Sequence, residues 1–147
     1  LELYLQLEAG RFGADFSYEV RIDDSTRKEN PEVPSMLIQP FVENAIKHGL
    51  LHKTGPKRLS IDFSLHPQIK RIIITIEDNG IGRKQATILA DKRRHHHSFA
   101  THSLRNRVEI LNKLLPEPVE IQITDKQNEQ QEATGTLVLI KLPFKNN

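Results

Sequence analysis

Cysteine is absent from the 147 residues, which excludes disulfides and thiolate metal centres and fits a reducing compartment. No stretch approaches the roughly 18 to 20 consecutive apolar residues that a membrane-crossing helix needs. The start, LELYLQLEAGRF, has neither a basic leader nor a small-residue cleavage site, so no signal peptide is read there. Neither sign of charge dominates: 21 Lys and Arg stand against 19 Asp and Glu, a net charge of +2. A nucleic-acid partner needs clustered cations, and the only dense basic run is Lys92-Arg93-Arg94, so none is expected. The initiator Met is missing too, and the opening in mid-helical pattern reads as a piece of a longer protein.

What is present suffices for one folded domain. Apolar residues make up 37% and charged residues 27%, outside the disordered regime. Leu1 to Leu7 read as the tail of a helix stopped near Gly10 and Gly13. Residues 16–22 alternate apolar and polar, the mark of a half-buried strand, and residues 23–30 read as a loop closed by Pro31 and Pro34. From Ser35 to about His52 the period turns helical, with Pro40 expected to kink or restart the helix. Residues 58–65 and 70–77 predict an isoleucine-rich hairpin, and 83–91 a second helix. Residues 92–103, basic and His-rich without a period, predict a mobile loop; residues 104–115 recover a helical period that Pro116 and Pro118 end. Residues 119–123 and 136–142 predict the last strands, joined by a polar loop from 125 to 134. This mixed order argues for an α+β sandwich with helices on one face of a sheet.

Two segments carry candidate chemistry. In Pro40-Phe41-Val42-Glu43-Asn44-Ala45-Ile46-Lys47-His48-Gly49, helical spacing sets Asn44, Lys47 and His48 on one face. An amide oxygen there suits a hard Mg²⁺ ion and a lysine one turn on suits phosphate, although a solvated polar face has the same spacing. The second segment, Ile72 to Gly82, is a strand ending in Asp78-Asn79-Gly80-Ile81-Gly82. It puts one carboxylate where a purine amino group finds an acceptor and backbone approaches closely, but Asp-Asn-Gly between apolar runs is equally a turn signal.

ENAIKHG around Asn44 resembles the N box, and DNGIG from Asp78 the G1 box, of the GHKL ATPases, which include histidine kinases, gyrase, MutL and a heat-shock chaperone ATPase. Within that group LIQPFVENAIKHGL is most similar to the LytS-type sensor histidine kinases, around Gln39, Pro40, Glu43, Asn44 and His48-Gly49. The opening YLQLEAGRFGADFSYEVRID and the closing GTLVLIKLP look like the same family, so the resemblance covers nearly the whole chain. It implies a two-layer α/β sandwich of the Bergerat type with a mixed sheet and helices on one face. Residues 1–14 are then the tail of an upstream linker helix, and residues 15–147 the ATP-binding catalytic domain.

By the same resemblance the cofactors are ATP and Mg²⁺. Asn44 would hold the Mg²⁺, Lys47 or His48 would contact the phosphates, and Asp78 would accept the adenine amino group. Gly80 and Gly82 would let the chain pass close to the base, Ile81 would pack near it, and Thr136 would join the water network around Asp78. Glu43 is a candidate for orienting the nucleophile, or it pairs with Lys47 one turn along. The implied activity is transfer of the γ-phosphate to a histidine on an upstream dimerisation domain, and from there to an aspartate of a response regulator. The full-length protein is then expected to be a homodimer at the inner membrane, with this domain in the cytoplasm.

The lid departs from the family. Aligning its Arg-Leu-like pair on Arg107-Val108 puts Ser98 and Ala100 where glycines of the G2 box are expected. Backbone amides there still suit phosphate, with Ser98 and Thr101 hydroxyls as further donors. His95, His96, His97 and His102 lack the acid or cysteine that would complete a metal set. A GxxxxGK[ST] loop is absent, against a P-loop NTPase. Two other functions remain open. One is a GHKL ATPase driving conformational change, although Pro40 stands where such enzymes place their water-activating glutamate; the other is a degenerate nucleotide-binding interaction module.

Overall fold

A computed structural model of the chain describes residues 1–92 and 97–144, with side chains described outside 90–103. Five strands form one sheet: β1 (Phe16–Ile22), β2 (Lys57–His66), β3 (Arg71–Asp78), β4 (Glu120–Gln127) and β5 (Ala133–Pro143). Their order is β1-β2-β3-β5-β4, with β1 parallel to β2 and every other pair antiparallel, so the sheet is mixed as expected. The expected hairpin β2-β3 is present, and the last two strands, β4 and β5, pair antiparallel as well.

Period-2 alternation decides which face is buried. Cross-strand register stacks Ile61, Ile76 and Val138 in one row and Leu65, Ile72 and Leu142 in another, all of them buried. The opposite face is polar and laced with ion pairs, Arg21 with Asp62 and Lys126 with Glu77. A sheet apolar on one side only must put its helices there, as the sandwich reading requires.

The helix α1 (Glu2–Phe12) buries Leu5 completely, packs Tyr4, Ala9 and Phe12 against the core, and stops at Gly13, whose φ is 70°. Burying one such leucine contributes about 1.5–3 kcal/mol. The expected loop 23–30 is instead a short helix, α2 (Asp24–Glu29). Asp23 caps it by accepting the Thr26 N–H at 2.6 Å, and Asn30 closes it in a left-handed conformation.

In α3 (Ser35–Asn44) the buried residues Leu37, Ile38, Phe41 and Val42 fall one turn apart. Pro40 lies in the middle of this helix and does not restart it. A π-helical turn, Ala45–Leu50, follows directly, closed by Leu51 N–H donating to Ile46 O at 2.9 Å. Two more helices complete the layer, α4 (Arg83–Lys92) and α5 (His97–Leu114). The loop expected at 92–103 is thus corrected: α5 begins at His97, seven residues before the apolar period starts at Leu104. Residues 93–96, with His95 and His96, lie outside the described residues. The polar loop expected at 125–134 also shortens, because β4 runs on to Gln127 and β5 starts at Ala133.

Candidate functional site

Asp78 closes β3, and alternation turns its side chain to the buried face, in a row with Leu59, Thr136 and Asp125. It is 5% exposed. Burial pushes its carboxyl up to about 6, partly offset by the N–H groups of Gly80 and Thr136 and by the Lys126 charge. Gly80 N–H reaches Asp78 Oδ1 at 2.7 Å. The turn behind it is tied to β2, since Asn79 Oδ1 accepts the Arg58 N–H at 2.7 Å and Asn79 Nδ2 donates to Pro56 O at 3.0 Å.

Close backbone packing explains the glycines. A Cβ at Gly80 would lie 2.6 Å from Gly49 Cα, and a Cβ at Gly135 would lie 1.9 Å from the Asp78 carbonyl oxygen. The G1 turn is held against the π-helical turn by Ile81 N–H donating to Gly49 O at 3.1 Å. The two sequence segments that suggested chemistry therefore touch through backbone.

Between them opens a cleft of about 260 Å³. Asn44, Ala45, His48 and Gly49 form one side, Ile76, Asp78, Thr136 and Val138 the sheet side. Gly82, Arg83, Ala86 and Thr87 come from the G1 turn and α4, with Leu104 of α5 across from Ile123 of β4. A mostly apolar slot with one buried carboxylate at its floor fits a flat heterocycle that presents an amino group.

Of the expected site residues, Asn44, His48, Asp78, Gly82 and Thr136 line this cleft together. Lys47 does not share their face, which corrects the helical-spacing expectation. In a π turn the hydrogen-bonded partner is five residues on, so His48 and Gly49 come round beneath Asn44 while Lys47 turns outward. There Lys47 Nζ meets Glu43 Oε2 at 3.4 Å, and Gln39 Nε2 donates to Glu43 Oε1 at 3.0 Å. Glu43 also faces α1, where its charge, with that of Glu8, helps burial to push the Tyr4 hydroxyl up to about 12. Gly80 and Ile81 pack behind the cleft and do not line it. Ser98, Ala100 and Thr101 sit in the first turns of α5, and their side chains lie outside the described residues.

Sequence reasoning missed the walls. Ile76, Ile123 and Val138 share a register row, so knowledge of the strand order would have found them. Arg83 has no local signal: it is recruited by Asp125, with Nε to Oδ1 and Nη2 to Oδ2 both at 2.7 Å. Among the described residues no group of three His, Cys, Asp or Glu is placed to hold a metal ion. A Mg²⁺ ion carried mainly by phosphate oxygens and water, with one amide oxygen from the protein, remains compatible with Asn44.

No protein-family model matches the chain. It is 30% identical over 150 residues to the Sensor protein LytS of Oceanobacillus iheyensis, covering 99% of this chain and 24% of that protein. The chain spans about a quarter of the length of the curated relatives that it matches end to end. Among solved structures, the mycobacterial sensor histidine kinase MprB superposes with a TM-score of 0.56 at 15% identity, over 98% of this chain and 92% of that one. The catalytic domain of the histidine kinase ThkA gives 0.53 at 14%, over 97% and 87%.

Proposed function

Since the chain belongs to the LytS type of sensor histidine kinases and has the fold of a histidine kinase catalytic domain, we propose that its cleft binds Mg²⁺-ATP and directs the γ-phosphate to a histidine. The observation that carries this reading is Asp78: a buried carboxylate at the end of an apolar slot, with one oxygen already held by the Gly80 N–H. Such a group accepts the adenine amino group without reorganising, while Ile76, Val138 and Ile123, in one row on the sheet, exclude water from one face of the base.

At the other side of the cleft, the Asn44 amide oxygen would hold Mg²⁺, which when bound bridges the phosphates and neutralises their charge. His48 lines the same wall and would contact phosphate. The first turns of α5 carry Ser98, Ala100 and Thr101; the Ser98 N–H, among the free amides of the helix start, would cap the phosphates, with the other two next to it. Lys47 stands outside the slot, paired with Glu43, and would reach a phosphate only by leaving that pair. Glu43, held by Gln39 and Lys47 on that outer side, would orient an imidazole arriving from another segment.

The acceptor would belong to an upstream dimerisation domain. The first histidine of this chain is His48, so none precedes β1, and His48 itself is committed to the nucleotide side. A response regulator would take the phosphate next, and the whole protein would act as a homodimer at the inner membrane with this domain in the cytoplasm. No helix among the described residues is long and apolar enough to cross a membrane.

Calorimetric titration with a non-hydrolysable Mg²⁺-ATP analogue tests the reading, followed by γ-labelled ATP with and without the upstream segment added in trans. Nucleotide binding with acid-labile label appearing only on the added segment is expected. Absence of binding would leave an interaction module, and steady phosphate release without labelled protein would point to an ATPase.

A further inference from the structure

Among the described residues, Arg83 is the one charged side chain in the cleft wall that neither the N box nor the G1 box accounts for. It follows Gly82, whose missing Cβ allows the G1 turn to pack on Ala133: a Cβ there would lie 2.9 Å from the alanine methyl. The Gly82 carbonyl accepts the Ala86 N–H at 3.1 Å, so α4 starts from a point fixed on β5. From that start Arg83 reaches across to Asp125 on β4 in a two-pronged ion pair. The neighbouring guanidinium holds the Asp125 carboxyl below its ordinary range.

The position is decided by register. Asp78, Thr136 and Asp125 occupy one row on three adjacent strands, and strands lie about 4.8 Å apart, so Asp125 stands about 10 Å from Asp78 on the side of β5 and β4. Asn44 and His48 come instead from the helical wall. The guanidinium therefore runs from the G1 turn that holds Asp78 toward β4, along the sheet side of the slot and away from the helical wall of Asn44 and His48. It is also neutralised: both prongs are engaged by a carboxylate, which makes it a poor partner for a triphosphate. Its side chain stays half exposed, with a planar surface held rigid at the rim. A flat, weakly hydrated, fixed guanidinium favours the face of an aromatic ring.

We propose that Arg83, locked by Asp125, is a base-contacting residue on whose guanidinium the purine ring stacks. This rests on the nucleotide reading above and adds a contact to the face of the base beside the edge contact of Asp78. Asp125 is then a positioning residue, acting only through Arg83.

The test is calorimetry on the whole chain with three probes: Mg²⁺-ATP, adenosine and inorganic tripolyphosphate. Arg83→Ala should weaken Mg²⁺-ATP and adenosine by the same factor, about three- to tenfold, and leave tripolyphosphate unchanged. Arg83→Lys retains charge and the ion pair, so it guards against a variant that merely unsettles α4. It should melt with the parent yet weaken adenosine by a similar factor, because an ammonium offers no plane. Parental adenosine affinity in Arg83→Lys overturns the proposal, as does a loss confined to tripolyphosphate. A parent that binds neither adenosine nor Mg²⁺-ATP removes the nucleotide reading and this inference together, whereas a parent that binds both while Arg83→Ala changes nothing removes this inference alone.

Discussion

Gly80 donates its N–H to Asp78 Oδ1 at 2.7 Å, and a Cβ on Gly80 would stand 2.7 Å from that same oxygen. The hydrogen bond and the missing side chain are thus one requirement: the donor reaches the carboxylate only because nothing projects from its own α-carbon.

Gly80→Ala should therefore cost about 1–3 kcal/mol of stability through overpacking, since the added methyl also lies within 2.6 Å of backbone at Gly49 and cannot be relieved by a rotamer change. Chemical denaturation reads this loss, and adenine-nucleotide affinity should fall with it. A variant as stable as the parent would show that the turn and the π-helical segment separate freely.

Asp78→Asn should change how stability responds to pH. The unfolded chain holds this carboxyl near 3.8 and the folded chain near 6, so between those values the native state keeps a proton that the unfolded state has released. Its contribution to stability is full below about pH 4 and is lost as pH rises through about 6. With about 1.4 kcal/mol per pKa unit, the buried charge costs up to about 3 kcal/mol at neutral pH. Urea unfolding at pH 4 and pH 7 should show the asparagine variant gaining on the parent by up to that amount at the higher pH, while its preference for ATP over GTP weakens. A constant difference between the two proteins would contradict the assignment.

Asn44→Ala should leave stability within about 0.5 kcal/mol, because the side chain is exposed and its removal empties no core volume. What should vanish is the Mg²⁺-dependent part of nucleotide affinity, measured by titration with and without the metal. Unchanged Mg²⁺ dependence would take the metal away from Asn44.

Glu43→Gln separates the two roles open to that residue. Its ion pair with Lys47 is partly solvated and contributes at most about 1 kcal/mol. Nucleotide affinity should stay as it was, since Glu43 does not line the cleft. Phosphotransfer to the upstream segment should fall about 10²-fold or more if the carboxylate orients the imidazole. Equal transfer rates would reduce Glu43 to its ion pair.

Much of this was legible in residue types. Strand β1 follows strict alternation, and the N and G1 segments combine a strand end, glycines and an amide that few folds place together. The misses have physical causes. A π turn uses the same residues as an α-helix and shifts only the hydrogen-bond register, so the outward turn of Lys47 left no trace in composition. The helix α2 was hidden by flanking prolines, although Asp23 three residues before Thr26 is a capping signal that outweighs them. The residues opening α5 carry no apolar period, so the helical signal in the sequence starts only at Leu104. The Arg83–Asp125 pair joins positions 42 apart, a distance at which sequence carries no register.

The parallel pairing of β1 with β2 bears on how the molecule is made. Arg21 and Asp62 meet across it from 41 positions apart, and the intervening stretch carries α2, α3 and the π turn. The wall that presents Asn44 and His48 is thus strung on a crossover that closes only when two distant strands find each other, a step whose entropic cost is met before any contact rewards it. The β2-β3 hairpin, needing only a short reversal at Pro67–Ile69, has no such delay. The hairpin that carries Asp78 is therefore ordered before the wall that carries Asn44 and His48 is locked to it, so the two halves of the cleft differ in how early they become rigid.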